Sequence, residues 1–220
     1  EGDLATRLRL QGVVRSPDDI YDFLQCRTTR RAEAGNVIEA ILAKNVRVDF
    51  ESLTRHVFSG SSCGLCGKAT IAAVRQHFPK ITRPLRVSAR LLQTLPAQLA
   101  GAQPIFQTTG GLHATALFDE HGTLLVARED VGRHNAMDKV LGHALRAGWL
   151  PLGRHILLVS GRVSFEIMQK ALAARVAVVA GISAPTSLAA EFARANNQTL
   201  VGFLRDDRLN VYAGRLAPAR

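Results

Sequence analysis

Cysteine is scarce in this chain. Three cysteines in 220 residues are too few, and odd in number, for a disulfide framework, which argues for a reducing compartment. Aromatic side chains make up only 5% and do not alternate with the basic ones, so stacking along single-stranded nucleic acid is not indicated. No apolar run reaches the length of a membrane span. No stretch joins a basic start to an apolar run and a small-residue cleavage site. The expectation is a soluble, cytoplasmic protein with neither a membrane nor a nucleic-acid partner. There is no Walker loop and no dinucleotide fingerprint, so ATP and NAD are not expected ligands. No histidine is followed two positions later by glutamate, which removes the general acid/base of a zinc deaminase.

What is present is a basic balance and a large apolar share. Against 18 Asp and Glu stand 28 Lys and Arg, a net charge of +10, and 47% of the residues are hydrophobic. The size suits one sizeable domain, and the surplus charge favours an anionic partner such as a phosphate-rich cofactor. Residues 1–34 read as a polar, irregular N-terminal segment, and 35–220 as the main domain. Ser16-Pro17-Asp18-Asp19 marks a turn or helix start. The spacing predicts a helix over Val37–Lys44, a short strand over 46–50 and a helix over Ala69–Phe78. It predicts another over Val87–Leu95, stopped by Pro96. His113–Asp119 and Thr123–Arg128 alternate about a His121-Gly122 turn and predict a β-hairpin. Asn135 reads as the N-cap of a helix with Asp138 in its first turn and Gly148 as its stop. In the C-terminal third, strands 156–160, 176–182 and 199–204 alternate with helices 164–174 and 186–195. That order implies parallel neighbours covered on their faces.

Two of the three cysteines stand together in Ser62-Cys63-Gly64-Leu65-Cys66-Gly67-Lys68, directly ahead of a helical pattern. A thiol at a helix N-terminus feels the positive end of the helix dipole, which favours the thiolate. Four chemistries fit a pair at this spacing: a zinc site, a deaminase, a dithiol oxidoreductase and a sulfur carrier. Zinc needs about four ligands; Cys26 is distant in sequence and a histidine would have to complete the set, with no paired spacing to support it. A pair of small buried thiols is the bland alternative, but the glycines permit close approach of another molecule to the backbone. Cys63, at the open end of the loop, is the candidate nucleophile, and Cys66 its assistant. No metal ligand set is expected.

Further candidates lie in polar glycine turns. Thr108–His113 ends in a histidine suited to an anion or a proton. Arg128–Asn135 puts Arg133 and His134 at a strand-to-helix join, where exposed amides accept phosphates. Ser160-Gly161-Arg162 and Ser183-Ala184-Pro185 follow buried strands, where open α/β sheets bind ligands. Phe203-Leu204-Arg205-Asp206-Asp207-Arg208 closes the last strand with arginines for phosphates, an aspartate for a guanine edge and an aromatic ring. A solvated β-turn is the plainer reading of that segment.

Taken with the string Arg128-Glu129-Asp130-Val131-Gly132-Arg133-His134-Asn135-Ala136-Met137-Asp138-Lys139-Val140, these motifs resemble the formate dehydrogenase accessory sulfurtransferase (FdhD/NarQ-like) family over about residues 11–214. The resemblance implies an α/β, cytidine-deaminase-like three-layer fold, its mixed sheet parallel in the C-terminal third and lacking the deaminase zinc site. It implies a sulfur carrier that takes sulfur from a cysteine desulfurase. The acceptor would be the molybdenum bis(guanylyl molybdopterin) cofactor, for use by the formate dehydrogenase catalytic subunit. The family's persulfide cysteine falls on Cys63 and its second cysteine on Cys66. Its guanine-nucleotide segment falls on Phe203–Arg208, so GDP-like nucleotides are expected to mimic part of the cofactor. A homodimer is implied. The alternative is a non-catalytic chaperone that binds the cofactor or the apoenzyme and needs no thiol. Glu1–Gln11 does not resemble the family's β-rich N-terminal segment, and a shortened N-terminus is expected.

Overall fold

The chain is seen as a computed structural model that describes residues 2–25, 37–49, 78–205 and 207–218. Its centre is a six-stranded sheet built from β3 (His113–Asp119), β4 (Leu124–Asp130), β5 (His155–Val159), β6 (Val178–Gly181), β7 (Thr199–Arg205) and β8 (Arg208–Ala213). The order across the sheet is β4-β3-β5-β6-β7-β8. β5, β6 and β7 run parallel, and the other neighbouring pairs are antiparallel. The expected mixed sheet, parallel in the C-terminal third, is therefore present.

The strands are apolar on both faces, and each face builds its own core. Leu117, Leu157, Val159, Val179 and Leu200 point to one side; Ala116, Phe118, Ile156, Leu158, Val178, Ala180 and Val201 point to the other. The alternation is the two-residue period of a strand, and burial on both faces is what parallel strands covered by helices require. On the second face lies α2 (Ala89–Gly101), inserting Leu92, Leu95 and Leu99. The first face carries α4 (Arg133–Arg146), α5 (Phe165–Ala173) and α6 (Ser187–Ala195). A short helix, α3 (Pro104–Thr109), leads into β3.

Several expectations fail for physical reasons. Residues 2–10 form a helix, α1 (Gly2–Leu10), where the polar composition suggested irregular chain. It is held by packing: Ala5 and Thr6 are buried, and the Thr6 hydroxyl donates to the Asp138 carbonyl at 2.8 Å. Ser16 begins a 3₁₀ turn, Pro17–Asp19, that leads into β1 (Ile20–Gln25). Residues 38–42 are a strand, β2 (Ile38–Leu42), antiparallel to β1, and not the expected helix. Ile38 and Ile41 carry branched β-carbons that suit the pleat, and a partner strand overrides the three-residue spacing. Residues 46–49 form no strand; Val46 and Val48 instead pack on the small core of Ala5, Val13, Val14 and Leu145.

Pro96 does not stop α2. The helix starts two residues later than expected, with the Ser88 hydroxyl accepting from Leu91 N at 3.1 Å, and runs through the proline. One missing N–H is outweighed by the buried leucines on both sides of it. α4 starts at Arg133 with Gly132 as its N-cap, three residues before the expected cap Asn135. The expected helix over Ala69–Phe78 lies outside the described residues, save its last position.

Candidate functional site

The parallel strands end on one rim, and backbone bonds tie their loops together. Ile182 N donates to Val159 O at 3.0 Å, Val163 N to Ala184 O at 3.1 Å, Thr186 N to Val163 O at 2.9 Å and Phe203 N to Ser183 O at 3.2 Å. Close packing at Gly181 permits this weave. A β-carbon there would lie 2.6 Å from Val163 Cγ2, and Val163 is fully buried. Gly181→Ala is therefore expected to lower stability by about 1–3 kcal/mol, as overpacking of a full core does. Adding Val163→Ala should recover part of that loss, and urea unfolding midpoints of the two variants check it.

The antiparallel strand β3 begins where β5 ends, which brings His113 to the same rim. Ser160 fixes the join: its N donates to Ala114 O and its hydroxyl accepts from Ala114 N, both at 2.9 Å. His113 pairs in register with Asp130, the last residue of β4. Asp130 then shapes the start of α4, accepting from Gly132 N at 2.8 Å and Asn135 Nδ2 at 3.1 Å and pairing with Lys139 Nζ at 2.6 Å. Burial pushes the Asp130 carboxyl up, but the bonds from Lys139, Gly132 and Asn135 outweigh it and hold the group below its ordinary range. Gly161 is the meeting point. A β-carbon on it would lie 3.3 Å from both Arg133 Cδ and His113 Nδ1, so the arginine and the imidazole converge over bare backbone.

Behind Arg133 sits a charged cluster. His134 is held well below its ordinary value of 6.5, to about 4: burial disfavours the imidazolium, Lys170 and Arg133 repel it, and Glu166 opposes them weakly. Its Nδ1 is buried with no hydrogen-bond partner among the described residues. Glu166 sits below the usual carboxylate range. Burial raises it, and Ser164, its own amide, His134 and Arg133 together outweigh burial. Lys170 Nζ reaches Asp138 Oδ2 at 2.6 Å, both side chains almost wholly buried. His134 and Asp138, and Glu166 and Lys170, are each four residues apart on facing helices. The rim pair thus stands one turn above its buried anchor.

The His134 shift has a pH signature. The unfolded chain takes up the proton near 6.5 and the folded chain only near 4. This contribution to stability is complete above the higher value and is lost as pH falls between the two. The thermal midpoint of the parent should drop across that window, and His134→Gln should flatten that part of the profile. Equal slopes in parent and variant would show that His134 titrates normally.

The sequence candidates divide. Arg133, His134, Arg162 and Phe203 all lie on the rim or directly behind it. Arg162 is exposed beside Gly161. Phe203 is 41% exposed and adopts a left-handed φ of 52°, which turns its ring out of the strand. Leu204 is fully buried in the α2-side core, so its side chain is not a rim group. The Arg205 Nε donates to Ile182 O at 3.1 Å and anchors the turn. Asp207 and Arg208 are exposed at the β7–β8 turn, 3.7 Å apart, with the Asp207 carbonyl accepting from Gln93 at 2.5 Å. Asp206, Cys63 and Cys66 lie outside the described residues. Sequence reasoning missed the Asp138–Lys170 pair and Glu166. The signal available was a lysine set within the apolar run Phe165–Ala173.

The model of the FdhD/NarQ family matches residues 7–217. A sulfur carrier protein FdhD of Streptomyces avermitilis is 48% identical over 209 residues, covering 93% of this chain and 74% of the relative. Its counterpart in Mycolicibacterium paratuberculosis is 46% identical over 209 residues, covering 93% and 77%. A crystal structure of a proposed formate dehydrogenase accessory protein from Desulfotalea psychrophila superposes with a TM-score of 0.69. It is 22% identical and covers 97% of this chain and 78% of its own, a likeness of fold. With a family match across nearly the whole length and relatives this similar, the chain belongs to the FdhD/NarQ family.

Proposed function

We propose that the protein is a sulfur carrier for formate dehydrogenase maturation, receiving sulfur on Cys63 and delivering it to the molybdenum bis(guanylyl molybdopterin) cofactor as substrate. The reading rests on one observation above the others: 46–48% identity to proteins named sulfur carriers over 93% of the chain. In the first step the Cys63 thiolate attacks the outer sulfur of a cysteine desulfurase persulfide. The desulfurase thiolate leaves, and Cys63 holds the persulfide. In the second step Cys66 attacks the inner sulfur and expels hydrosulfide toward the cofactor. The resulting Cys63–Cys66 disulfide is reopened by a cellular dithiol.

The rim supports the acceptor side of this reading. Arg133 and His113 converge over Gly161, and Arg162 is exposed next to it in the chain, at the C-terminal ends of parallel strands, a usual place for ligands of open sheets. A neutral His134 donates or accepts without adding charge, and Phe203 offers an exposed ring for a base. The net charge of +10 suits a ligand with two pyrophosphates. Helices on both faces of the sheet are consistent with a cytidine-deaminase-like ancestry. A cytoplasmic homodimer that meets the dehydrogenase catalytic subunit completes the proposal.

GDP tests the acceptor site. The parent chain should bind it saturably, and Arg133→Ala with Arg162→Ala should weaken binding about tenfold or more, the worth of one or two charge-assisted bonds. Equal affinity in parent and variant would move the nucleotide site elsewhere.

A further inference from the structure

At the opposite end of the sheet, below the start of β7, is a cavity of about 400 Å³ lined by Pro84, Arg86, Arg194, Gln198, Thr199 and Arg215, among others. This volume falls within the range of small-molecule sites. Three of its lining side chains are arginines and none is acidic. No guanidinium of the three has a hydrogen bond or ion pair among the described residues. Three cations brought together without a counterion repel one another, and an anion between them removes that cost.

The fold builds this wall deliberately close. Ala217 N donates to Val87 O at 2.9 Å, which sets the segments carrying Arg86 and Arg215 side by side. Gly214, at a φ of 78°, lies so near Thr199 that a β-carbon would overlap its backbone, at 2.8 Å from Cα. Gln198 adds a second requirement. It is fully buried, and its Nε2 donates to Val176 O at 3.0 Å, which fixes the amide orientation because a carbonyl only accepts. Its Oε1 is then left buried without a donor among the described residues. An unsatisfied buried acceptor is costly, and a small shift of this cavity-lining side chain would bring it within reach of a ligand hydroxyl.

We propose that this cavity is a second anion site, separate from the rim, which binds a compact phosphate monoester carrying free hydroxyls, of the sugar-phosphate kind. The arginines hold the phosphate, and Gln198 accepts from a hydroxyl. The cavity is concave and small, which fits a metabolite better than an acidic peptide.

Titration calorimetry of the full chain at low ionic strength, with ribose 5-phosphate, inorganic phosphate and ribose as probes, tests it. Ribose 5-phosphate should saturate one site more tightly than inorganic phosphate, and ribose alone should give no heat. Arg194→Ala with Arg215→Ala, both at exposed positions, should weaken ribose 5-phosphate about tenfold or more. Arg133→Ala with Arg162→Ala should leave it unchanged, which separates this site from the rim. Absence of saturable binding, or loss only in the rim variant, overturns the site. Equal affinity for ribose 5-phosphate and inorganic phosphate overturns the role of Gln198. Binding of poly-glutamate that needs Arg194 and Arg215, with no binding of ribose 5-phosphate, overturns the proposal in favour of a docking surface.

Discussion

Lys170→Met is expected to destabilise the folded chain by about 3–5 kcal/mol, the usual result of stripping one partner from a buried ion pair. The ammonium lies 2.6 Å from Asp138 Oδ2, and the two side chains are 3% and 0% exposed. Without the lysine, the carboxylate keeps the cost of leaving water and loses the attraction that offset it. The double change Asp138→Leu with Lys170→Met should recover most of the loss, because an apolar pair of similar volume has no charge to desolvate. Urea midpoints at constant slope read both effects. A loss below about 1 kcal/mol for Lys170→Met would mean the pair behaves as a solvated surface bridge. The consequence reaches the rim. Asp138 lies one turn below His134 on α4, and Lys170 one turn below Glu166 on α5, so the pair sets the spacing of the helices that present Arg133 and Glu166. Chemical shifts of His113 and His134 in the lysine variant should therefore move even where the chain stays folded.

The C-terminal third was legible because the inner runs of its parallel strands are apolar. Residues 156–159 and 178–180 have no polar face to confuse with a helix, and Gly161 and Gly181 mark where each strand turns. The N-terminal region was not legible for the opposite reason. α1 is a weakly apolar segment that is helical only because Ala5 and Thr6 meet α4, more than a hundred residues away. At 38–42 the apolar positions fit either period, and a partner strand decided. The rim motifs could each be seen in the sequence, and Gly161 could be seen as a turn. What could not be seen was that Gly161 brings His113 and Arg133 together, since this depends on β3 running antiparallel beside β5. The Asp138–Lys170 pair was hidden in the same way: two charged residues in separate amphipathic patterns look solvated until the helices are placed.

Cys63→Ala is expected to abolish sulfur uptake altogether. After incubation with a cysteine desulfurase and cysteine, intact-mass analysis of the parent should show one added sulfur that a dithiol removes, and the variant none. The argument is chemical. Attack on a persulfide needs a thiolate, Gly64 between the cysteines and Gly67 after them leave the backbone open, and Lys68 adds positive charge that favours ionisation. Cys26 stands 37 positions away in sequence, outside the cysteine loop, and Cys66, the second cysteine of the loop, is assigned the release step. Cys66→Ala should separate the two steps, still taking up sulfur but releasing it slowly, because the second thiol is gone. The same variants address the non-catalytic chaperone. Full restoration of formate dehydrogenase by a Cys63→Ala, Cys66→Ala double variant, in a host lacking its own carrier, would leave the rim arginines as the working part and the thiols as bystanders. Loss of that activity together with retained GDP binding would place the defect in sulfur transfer itself. A Cys63→Ala chain that gains the same labile sulfur as the parent would end the assignment of Cys63.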